Sequence, residues 1–273
     1  MKRHEYRENG NVTIVEEYKN FNEFTSVAMT RNPNGWAEDH GLARESHDSG
    51  WRKCASFEEA QDFLRHGYDK DVSVMLKKIS TLEKQGTRAQ VHRYADVVGY
   101  VPIVPSAILG IPCSMMNSVK KPIKNRVISV LFNPSVSANV SKDEILDFGC
   151  KLLGYLLNLE KNGYRVRLEY ALPITGLKSN KIRQYILRIP IKSEYNPLNV
   201  KRVAFPLAHV GMFRYLAFDW YEHLAGAEYM SGYGTTYNFA TDKEKENFTS
   251  LLDGNEYMVD FYSDLDKVFE QLN

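Results

Sequence analysis

The chain has 273 residues, and its 35 basic side chains nearly balance its 34 acidic ones. This length can bury a substantial core in one or two domains, while the balanced charge excludes the strong overall field that drives nonspecific binding to DNA or membrane surfaces. The three cysteines lack C-x-x-C spacing, which argues against disulfides and Cys-based zinc sites. No apolar run approaches the ~20 residues of a membrane span, and no signal peptide is evident. We therefore expect a soluble cytoplasmic protein without a membrane partner.

The N-terminal part of the sequence predicts a polar segment followed by two helices. Residues 1–50 are polar and rich in asparagine, so we expect them to be irregular and ordered only by docking. Ser56 and Glu59 then stand in the S-x-x-E spacing of a capping box, which predicts a helix over 57–66. A second helix with one apolar face is predicted over 72–84. Together the two helices would form a helical hairpin.

The segment 94–124 combines many Val, Ile and Met residues with four prolines, which are too many for a regular element. We expect an extended segment packed onto the core, with a helical turn at 106–109. On this basis residues 1–124 are predicted to form an N-terminal region, comprising the irregular segment, the helical hairpin and this connector. Residues 125–273 are predicted to form an α/β core.

A βαβ unit opens the predicted core. An apolar, β-branched run over 126–132 is followed by a long helical pattern whose start is marked by a second capping box, at Ser141 and Glu144, and then by a strand pattern over 164–171. Hydroxyl-bearing side chains follow the first strand. Open α/β sheets build their sites at the carboxyl ends of such strands, so this unit predicts both the fold class and the place of a site.

The rest of the core is predicted from shorter patterns. A strand over 182–191 follows the second strand closely enough for a hairpin, so we expect it to be antiparallel and near a sheet edge, where Pro190 is tolerated. Three helices and a strand complete the predicted order: helices over 200–209 and 212–224, a strand over 257–261 and a helix over 265–272.

The residues after the first core strand resemble a known metal site. Val127 to Ser137 is similar to the first strand and loop of a von Willebrand factor A type domain, whose adhesion site holds a divalent cation with a D-x-S-x-S motif. The corresponding residues here are Asn133, Ser135 and Ser137. The resemblance implies a von Willebrand-A-like (Rossmann-like) mixed sheet flanked by helices, and a metal site at these three residues.

Asparagine in the first position changes what this site can bind. Mg²⁺ is usually held through one or two carboxylates, so we expect either no cofactor or weakly bound Mg²⁺. The resemblance also implies a threonine and an aspartate from later loops, for which the candidates are Thr175 or Asn199, and Asp253 or Asp219. The alternative is that Ser135 and Ser137 only hydrogen-bond the loop backbone and the next helix.

A second resemblance covers roughly residues 35–240. It is carried by short motifs: Ser49-Gly-Trp51, Ser56-Phe-Glu-Glu-Ala60, Arg65-His-Gly67, Asn133 to Ser137, Ala204-Phe-Pro-Leu-Ala-His209 to Arg214, and Gly232-Tyr-Gly234. In these motifs the chain resembles a family of uncharacterised proteins of tailed phages and related mobile elements. That family implies no activity. It implies a phage origin and expression in the cytoplasm of the infected host.

Two further groups of residues are candidates for ligand binding. His209 and Arg214, five residues apart in a helical region, could reach an anionic ligand; the alternative is a hydrogen-bonded core histidine and a surface or paired arginine. The interleaved basic and aromatic residues around the predicted hairpin suggest a nucleic-acid surface, which would use Arg165, Arg167, Arg183 and Arg188. The alternative there is the ordinary polar face of an edge hairpin.

The sequence favours a binding protein over an enzyme. It contains no G-x-S-x-G nucleophile elbow and no H-E-x-x-H motif, and we predict no catalytic residue. The leading hypothesis is a phage-encoded, non-enzymatic protein-interaction or assembly module whose partner is a phage or host protein. The alternatives are a nucleic-acid-binding protein of phage replication or host takeover, and a cryptic enzyme acting on a nucleotide or phosphoester near Ser137 and His209.

Overall fold

The computed structural model describes residues 1–8, 10–32, 43–45, 50–52, 54–83, 91–120, 126–178, 181–225, 227 and 256–270. Its strands are β1 (Lys2–Glu8), β2 (Asn11–Glu17), β3 (Val91–Asp96), β4 (Val101–Pro102), β5 (Met115–Lys120), β6 (Val127–Asn133), β7 (Arg165–Lys178), β8 (Lys181–Lys192) and β9 (Glu256–Asp260). Its helices are α1 (Phe21–Val27), α2 (Phe57–His66), α3 (Val72–Glu83), α4 (Val104–Ile108), α5 (Lys142–Lys161), α6 (Val200–Ala208), α7 (Phe218–Glu222) and α8 (Leu265–Phe269). One short 3-10 turn, Ala28–Thr30, follows α1, and a second covers Ala43–Glu45. A π-helical segment, Met212–Ala217, leads into α7.

Six strands form one mixed sheet in the order β1-β2-β8-β7-β6-β9. β6 is parallel to both β7 and β9, and β2 is parallel to β8, whereas the β1–β2 and β7–β8 pairs are antiparallel. Helices α1 to α3 and α5 to α8 contribute to the large apolar core on one face of the sheet. The prediction of an α/β fold with a mixed sheet flanked by helices is confirmed.

Local signals in the sequence located the helices well. Ser141 and Glu144 form the predicted capping box at the start of α5, and the side chain of Ser56 caps α2 by accepting the Glu59 N–H. Helix α2 ends at Gly67, whose φ of 94° is a conformation that favours glycine. Because caps depend on residues only a few positions apart, they are visible without knowledge of the tertiary fold.

The first 17 residues differ from the prediction of an irregular segment. They form a hairpin, β1 and β2, and β2 pairs with β8 from Val12 opposite Arg183 to Glu17 opposite Arg188. Ile14 joins the helix-side core, while Val15 packs on the other face of the sheet. The sheet therefore contains strands from both of the regions that the sequence divided at residue 124.

The position of β2 also places β8 inside the sheet, where the sequence predicted a strand near an edge. Pro190 is tolerated there for a local reason. The register between β7 and β8 shifts between Leu168 and Glu169, and Pro190 stands opposite Glu169 beside this irregularity. On the other side of β8, the pairing with β2 ends at Arg188. The missing N–H of Pro190 therefore costs no hydrogen bond between β8 and β2.

Residues 91–120 form a separate structure, which we call the apolar arm. β3 and β4 both pair with β5 in a three-stranded antiparallel sheet, and the short helix α4 follows β4. The prediction of an extended segment packed onto the core is wrong, because every side chain from 93 to 117 is exposed or half-exposed. The predicted helical turn at 106–109 falls largely within α4.

One buried carboxylate joins the sheet to the helical layer. Glu16, on β2, is 1% exposed. It accepts hydrogen bonds from Arg31 (2.9 Å), Tyr18 (2.8 Å) and Trp220 (2.9 Å), and Arg3 adds an ion pair at 3.2 Å. Burial alone would raise the pKa of Glu16, but the hydrogen bonds from Arg31, Trp220 and Tyr18 and the charge of Arg31 together outweigh it, so the pKa lies below its ordinary value.

We expect the substitution Glu16→Gln to lower the free energy of unfolding by about 3 kcal/mol, because it leaves partly buried arginines without their counter-charge. Since the folded-state pKa of Glu16 is depressed, its contribution is present above the unfolded value near ~4.3 and is lost as pH falls through the folded pKa. Urea unfolding at neutral and acidic pH measures both effects. Glu270→Gln, at an exposed position, is the control; equal stabilities of the two variants would contradict the assignment.

Candidate functional site

The carboxyl ends of two neighbouring parallel strands bring polar residues together. Asn133 ends β6, Asp260 ends β9, and the two are paired in the register of the strands. The loop 134–140 follows Asn133 and leads into α5, and residues 261–264 follow Asp260. This is the edge at which open α/β sheets build their sites, and the predicted metal residues lie here.

The three predicted metal residues make contacts that shape their own loop. Asn133 is fully buried, and its Oδ1 accepts the N–H of Ser135 at 3.0 Å. Ser135 is also fully buried. The hydroxyl oxygen of Ser137 accepts the N–H of Asn139 at 3.3 Å. The bond of Ser137 is of the local side-chain-to-backbone kind that the alternative interpretation predicts for the two serines.

Asp260 is the site residue that the sequence analysis missed. Its Oδ1 accepts the hydroxyl of Ser263 at 2.7 Å and the N–H of Tyr262 at 3.0 Å. The hydroxyl oxygen of Tyr262 in turn accepts the N–H of Ser137 at 3.3 Å, so the two loops are joined. The sequence did contain a signal for Asp260: an acidic residue directly follows the apolar run Tyr257 to Val259, just as Asn133 directly follows the apolar run of β6.

The other proposed ligands of this site lie elsewhere. Asp219 is buried and paired with Arg44, and Asn199 caps α6 by accepting the N–H of Arg202. The side chain of Thr175 and the whole of Asp253 fall outside the described residues. Among the described residues, Asp260 and the three predicted metal residues therefore offer one carboxylate, one amide oxygen that already serves the loop, and the hydroxyls of Ser135 and Ser137 as possible ligand atoms. This set fits weak binding of Mg²⁺ through the single carboxylate.

Arg214 belongs to this site, although it was predicted as part of another. Its Nη2 donates to the carbonyl oxygen of Val136 at 3.0 Å. Its guanidinium lies over the rings of Phe213, Phe218 and Trp51, with centroids at 4.9–5.3 Å. The indole of Trp51 donates to the carbonyl oxygen of Val140 at 2.8 Å. Arg214 and Trp51 thus brace the two ends of the hydroxyl-bearing loop.

His209 lies in a different environment, between α6 and the α2–α3 pair. It is 5% exposed, its ring is 4.4 Å from that of Tyr68, and its Nε2 is 3.6 Å from a carboxylate oxygen of Asp71. The hydroxyl of Tyr68 donates to the same oxygen at 2.9 Å. Among the contacts that the structure describes, His209 and Arg214 share no partner. The burial of His209 is as expected for a core histidine, whereas the printed contacts of Arg214 are with a backbone carbonyl and aromatic rings.

The four arginines proposed to bind nucleic acid are divided between the two faces of the sheet. Alternation along β8 places Arg183 on the face of Tyr185 and Leu187, which pack in the helix-side core. Arg165, Arg167 and Arg188 lie on the opposite face, where Glu169 contacts Arg167 at 2.5 Å and Arg188 at 2.7 Å.

The face that carries Arg167 and Arg188 holds a pocket of about 290 Å³. Acidic and basic side chains both line it, namely Lys2, Glu17, Lys19, Arg167, Glu169 and Arg188. Arg188 also contacts Glu17 at 3.3 Å and Glu256 at 3.7 Å, within an ion-pair network. This mixture of charges does not form the basic stripe that binds a phosphate backbone. Nucleic-acid binding stays a prediction, as does phosphoester chemistry near Ser137 and His209.

Fold and site together define an α/β protein with a braced polar loop at the carboxyl end of a mixed sheet. Within the described part of the chain, no helix is both long and apolar enough to cross a membrane. The chain belongs to a family described as Domain of unknown function (DUF7192), whose model matches residues 4–273. Comparison with the curated proteins gave no match, and comparison with the solved structures gave none either.

Proposed function

We propose that this protein is a non-enzymatic interaction or assembly module, encoded by a tailed phage and acting in the cytoplasm of the infected host. Its binding surface is the apolar arm, and its partner is a phage or host protein. The observation that carries the proposal is where apolar surface is exposed. Of the sixteen large apolar side chains that are exposed in the described residues, nine lie between Tyr94 and Ile111.

The size of this surface suits a protein partner. The most exposed of the nine are Ile108 (79%), Leu109 (74%) and Val98 (73%). At roughly 90 Å² for each half-exposed side chain, the nine present about 800 Å², which is what one partner contributes to a standard interface. Exposed apolar surface concentrated in one segment is typical of interaction sites.

The charge of the arm selects the class of partner. Between residues 93 and 117 the charged side chains are Arg93 and Asp96, one of each sign. A nucleic acid would require a cluster of cations on this surface, and the arm does not have one. A protein that presents a complementary apolar groove matches the arm in both area and charge.

Substitution of Ile108 and Leu109 by aspartate should weaken binding to the partner by at least about 100-fold, because it places charges at the centre of the interface. The folded core should be unaffected, since both side chains point away from it. The partner is the protein that copurifies with the wild-type chain from infected cells. Calorimetry with both purified proteins then measures the affinity.

Tyr195→Asp is the matched control for this experiment, because Tyr195 is 77% exposed and lies outside the arm. It should bind like the wild type. Unchanged affinity of the double aspartate variant would contradict the proposal. If light scattering instead shows that the wild type is a dimer and the double aspartate variant is a monomer, the partner is a second copy of this chain.

We further propose that the core is a degenerate von Willebrand-A-like domain with a weak Mg²⁺ site. Its support is the position of Asp260 at the end of the strand beside Asn133, which suits the later aspartate that the resemblance implies. Ser135 and Ser137 would supply the hydroxyl oxygens. The neutral amide of Asn133 accounts for weak binding.

The substitution Asn133→Asp should convert this loop into a stronger Mg²⁺ site. Without metal it should lower the melting temperature, because two carboxylates then meet at the strand ends. Millimolar Mg²⁺ should restore about 2–3 kcal/mol to that variant and less than about 1 kcal/mol to the wild type. Asp260→Asn should remove both responses. A folded Asn133→Asp variant that ignores Mg²⁺ in thermal unfolding would rule the site out.

A further inference from the structure

The pocket beside Arg167 and Arg188 lies at a second carboxyl edge of the sheet. β2 and β8 are parallel to each other, and β8 is antiparallel to β7. Their carboxyl ends therefore lie at the edge opposite to Asn133 and Asp260, and residues from both ends line the pocket of about 290 Å³. Open α/β sheets bind ligands at the carboxyl ends of their strands, so this edge is a second place for a site.

The strands leave room for the pocket because their pairing ends or shifts there. The pairing of β2 with β8 ends at Glu17 opposite Arg188. The register between β7 and β8 shifts between Leu168 and Glu169, where Pro190 stands opposite. Apart from Leu168, these residues line the pocket. Irregularities of this kind are over-represented beside sites, because they re-aim side chains out of the regular ladder.

A buried carboxylate holds two arginines at the wall of the pocket. Glu169 is 3% exposed. Its Oε2 accepts hydrogen bonds from Nε and Nη2 of Arg188 at 3.1 Å and 2.7 Å, and its Oε1 lies 2.5 Å from Nη2 of Arg167. The side chain of Arg167 is 43% exposed, and among the described residues Glu169 is its only charged partner. The remaining N–H groups of Arg167 are therefore oriented and available to a ligand.

The lining of the pocket carries more positive than negative charge. Its charged side chains are four cations, Lys2, Lys19, Arg167 and Arg188, and two carboxylates, Glu17 and Glu169. The lining side chains therefore have a net charge of about +2 at neutral pH. Glu256, which contacts Arg188 at 3.7 Å from outside the lining, lowers this excess by one charge.

The two lysines contribute most of the uncompensated charge. In the described ranges neither Lys2 nor Lys19 forms an ion pair. Glu23 is near enough to Lys19 for the lysine charge to help lower the pKa of that carboxyl, but Glu23 is hydrogen-bonded to the amino group of Met1. An anion in the pocket would meet the two ammonium groups and the guanidinium of Arg167 together.

We propose that this pocket binds a small molecule through a compact dianionic group of the phosphate-monoester class. Such a group carries about −1.5 to −2 charges at pH 7, which matches the excess charge of the lining. Arginine supplies directed N–H donors and lysine supplies compact charge, and both are common partners of phosphate. Four cations in one pocket suit a single phosphate group, whereas a nucleic-acid backbone requires a longer basic stripe.

Calorimetric titration of the full-length protein with glycerol phosphate at low ionic strength tests the proposal. One equivalent should bind, and binding should weaken with added salt and below about pH 6, where a phosphate monoester loses its second charge. Acetate at matched ionic strength should give no saturable signal. Absence of saturable binding at millimolar glycerol phosphate would overturn the proposal, as would tighter binding of succinate, which would assign the pocket to dicarboxylates.

Variants of the lining test where the ligand binds. Lys19→Gln and Arg167→Gln should each weaken binding of glycerol phosphate by about 10-fold or more, as expected for loss of a charged donor. Both should fold, because Glu169 keeps Arg188 as its partner. Glu17→Gln removes a repelling carboxylate, so it should strengthen binding several-fold, which a purely structural role would not produce.

Lys267→Gln is the control for these variants, because Lys267 is 81% exposed and lies outside the pocket. It removes the same charge from the protein and should bind glycerol phosphate like the wild type. Equal affinities of Lys19→Gln, Glu17→Gln and the wild type would refute the pocket as the binding site.

Discussion

The burial of Glu16 constrains much of the architecture. An ionised carboxylate under a helical layer requires donors from several directions, and here they come from β1, from the end of β2, from the segment after α1 and from α7. The N-terminal hairpin and the last helices before residue 225 are therefore fixed to one another through a single charge. Because Trp220 is one of the donors, the same contact sets the rotation of α7, which carries Asp219 and Glu222.

The loop at the strand ends and the apolar arm differ in how many of their groups are in contact with other residues of the chain. At the strand ends the loop after Asn133 is held by Arg214, Trp51 and Tyr262, so its polar groups already have partners within the chain. The apolar arm has no comparable cover over residues 93–117. Water does not stabilise apolar side chains, so a partner that covered the arm would gain more from burying apolar surface than one at the strand ends, and this is the basis on which the arm is proposed as the interaction surface.

Prediction from the sequence succeeded where structure depends on neighbouring residues. The Ser56 cap of α2, the capping box of α5 and the β7–β8 hairpin are local features, and all three were located. The N-terminal hairpin was missed because β2 contains few apolar residues and its partner, β8, is about 170 positions away. Asp260 was missed for the same reason, since only the parallel pairing of β6 and β9 places it beside Asn133. The arm was misjudged because its Val, Ile and Met content equals that of a buried segment.

The central claim is that the apolar arm contacts the partner protein. A photoreactive amino acid at position 108, introduced into the full-length protein in infected cells, tests it most directly when compared with the same group at position 195. Both positions are highly exposed, so nonspecific collisions should label them equally. The account predicts one dominant cross-linked protein from position 108 and none from position 195. The same products from both positions, or none from position 108, would contradict it.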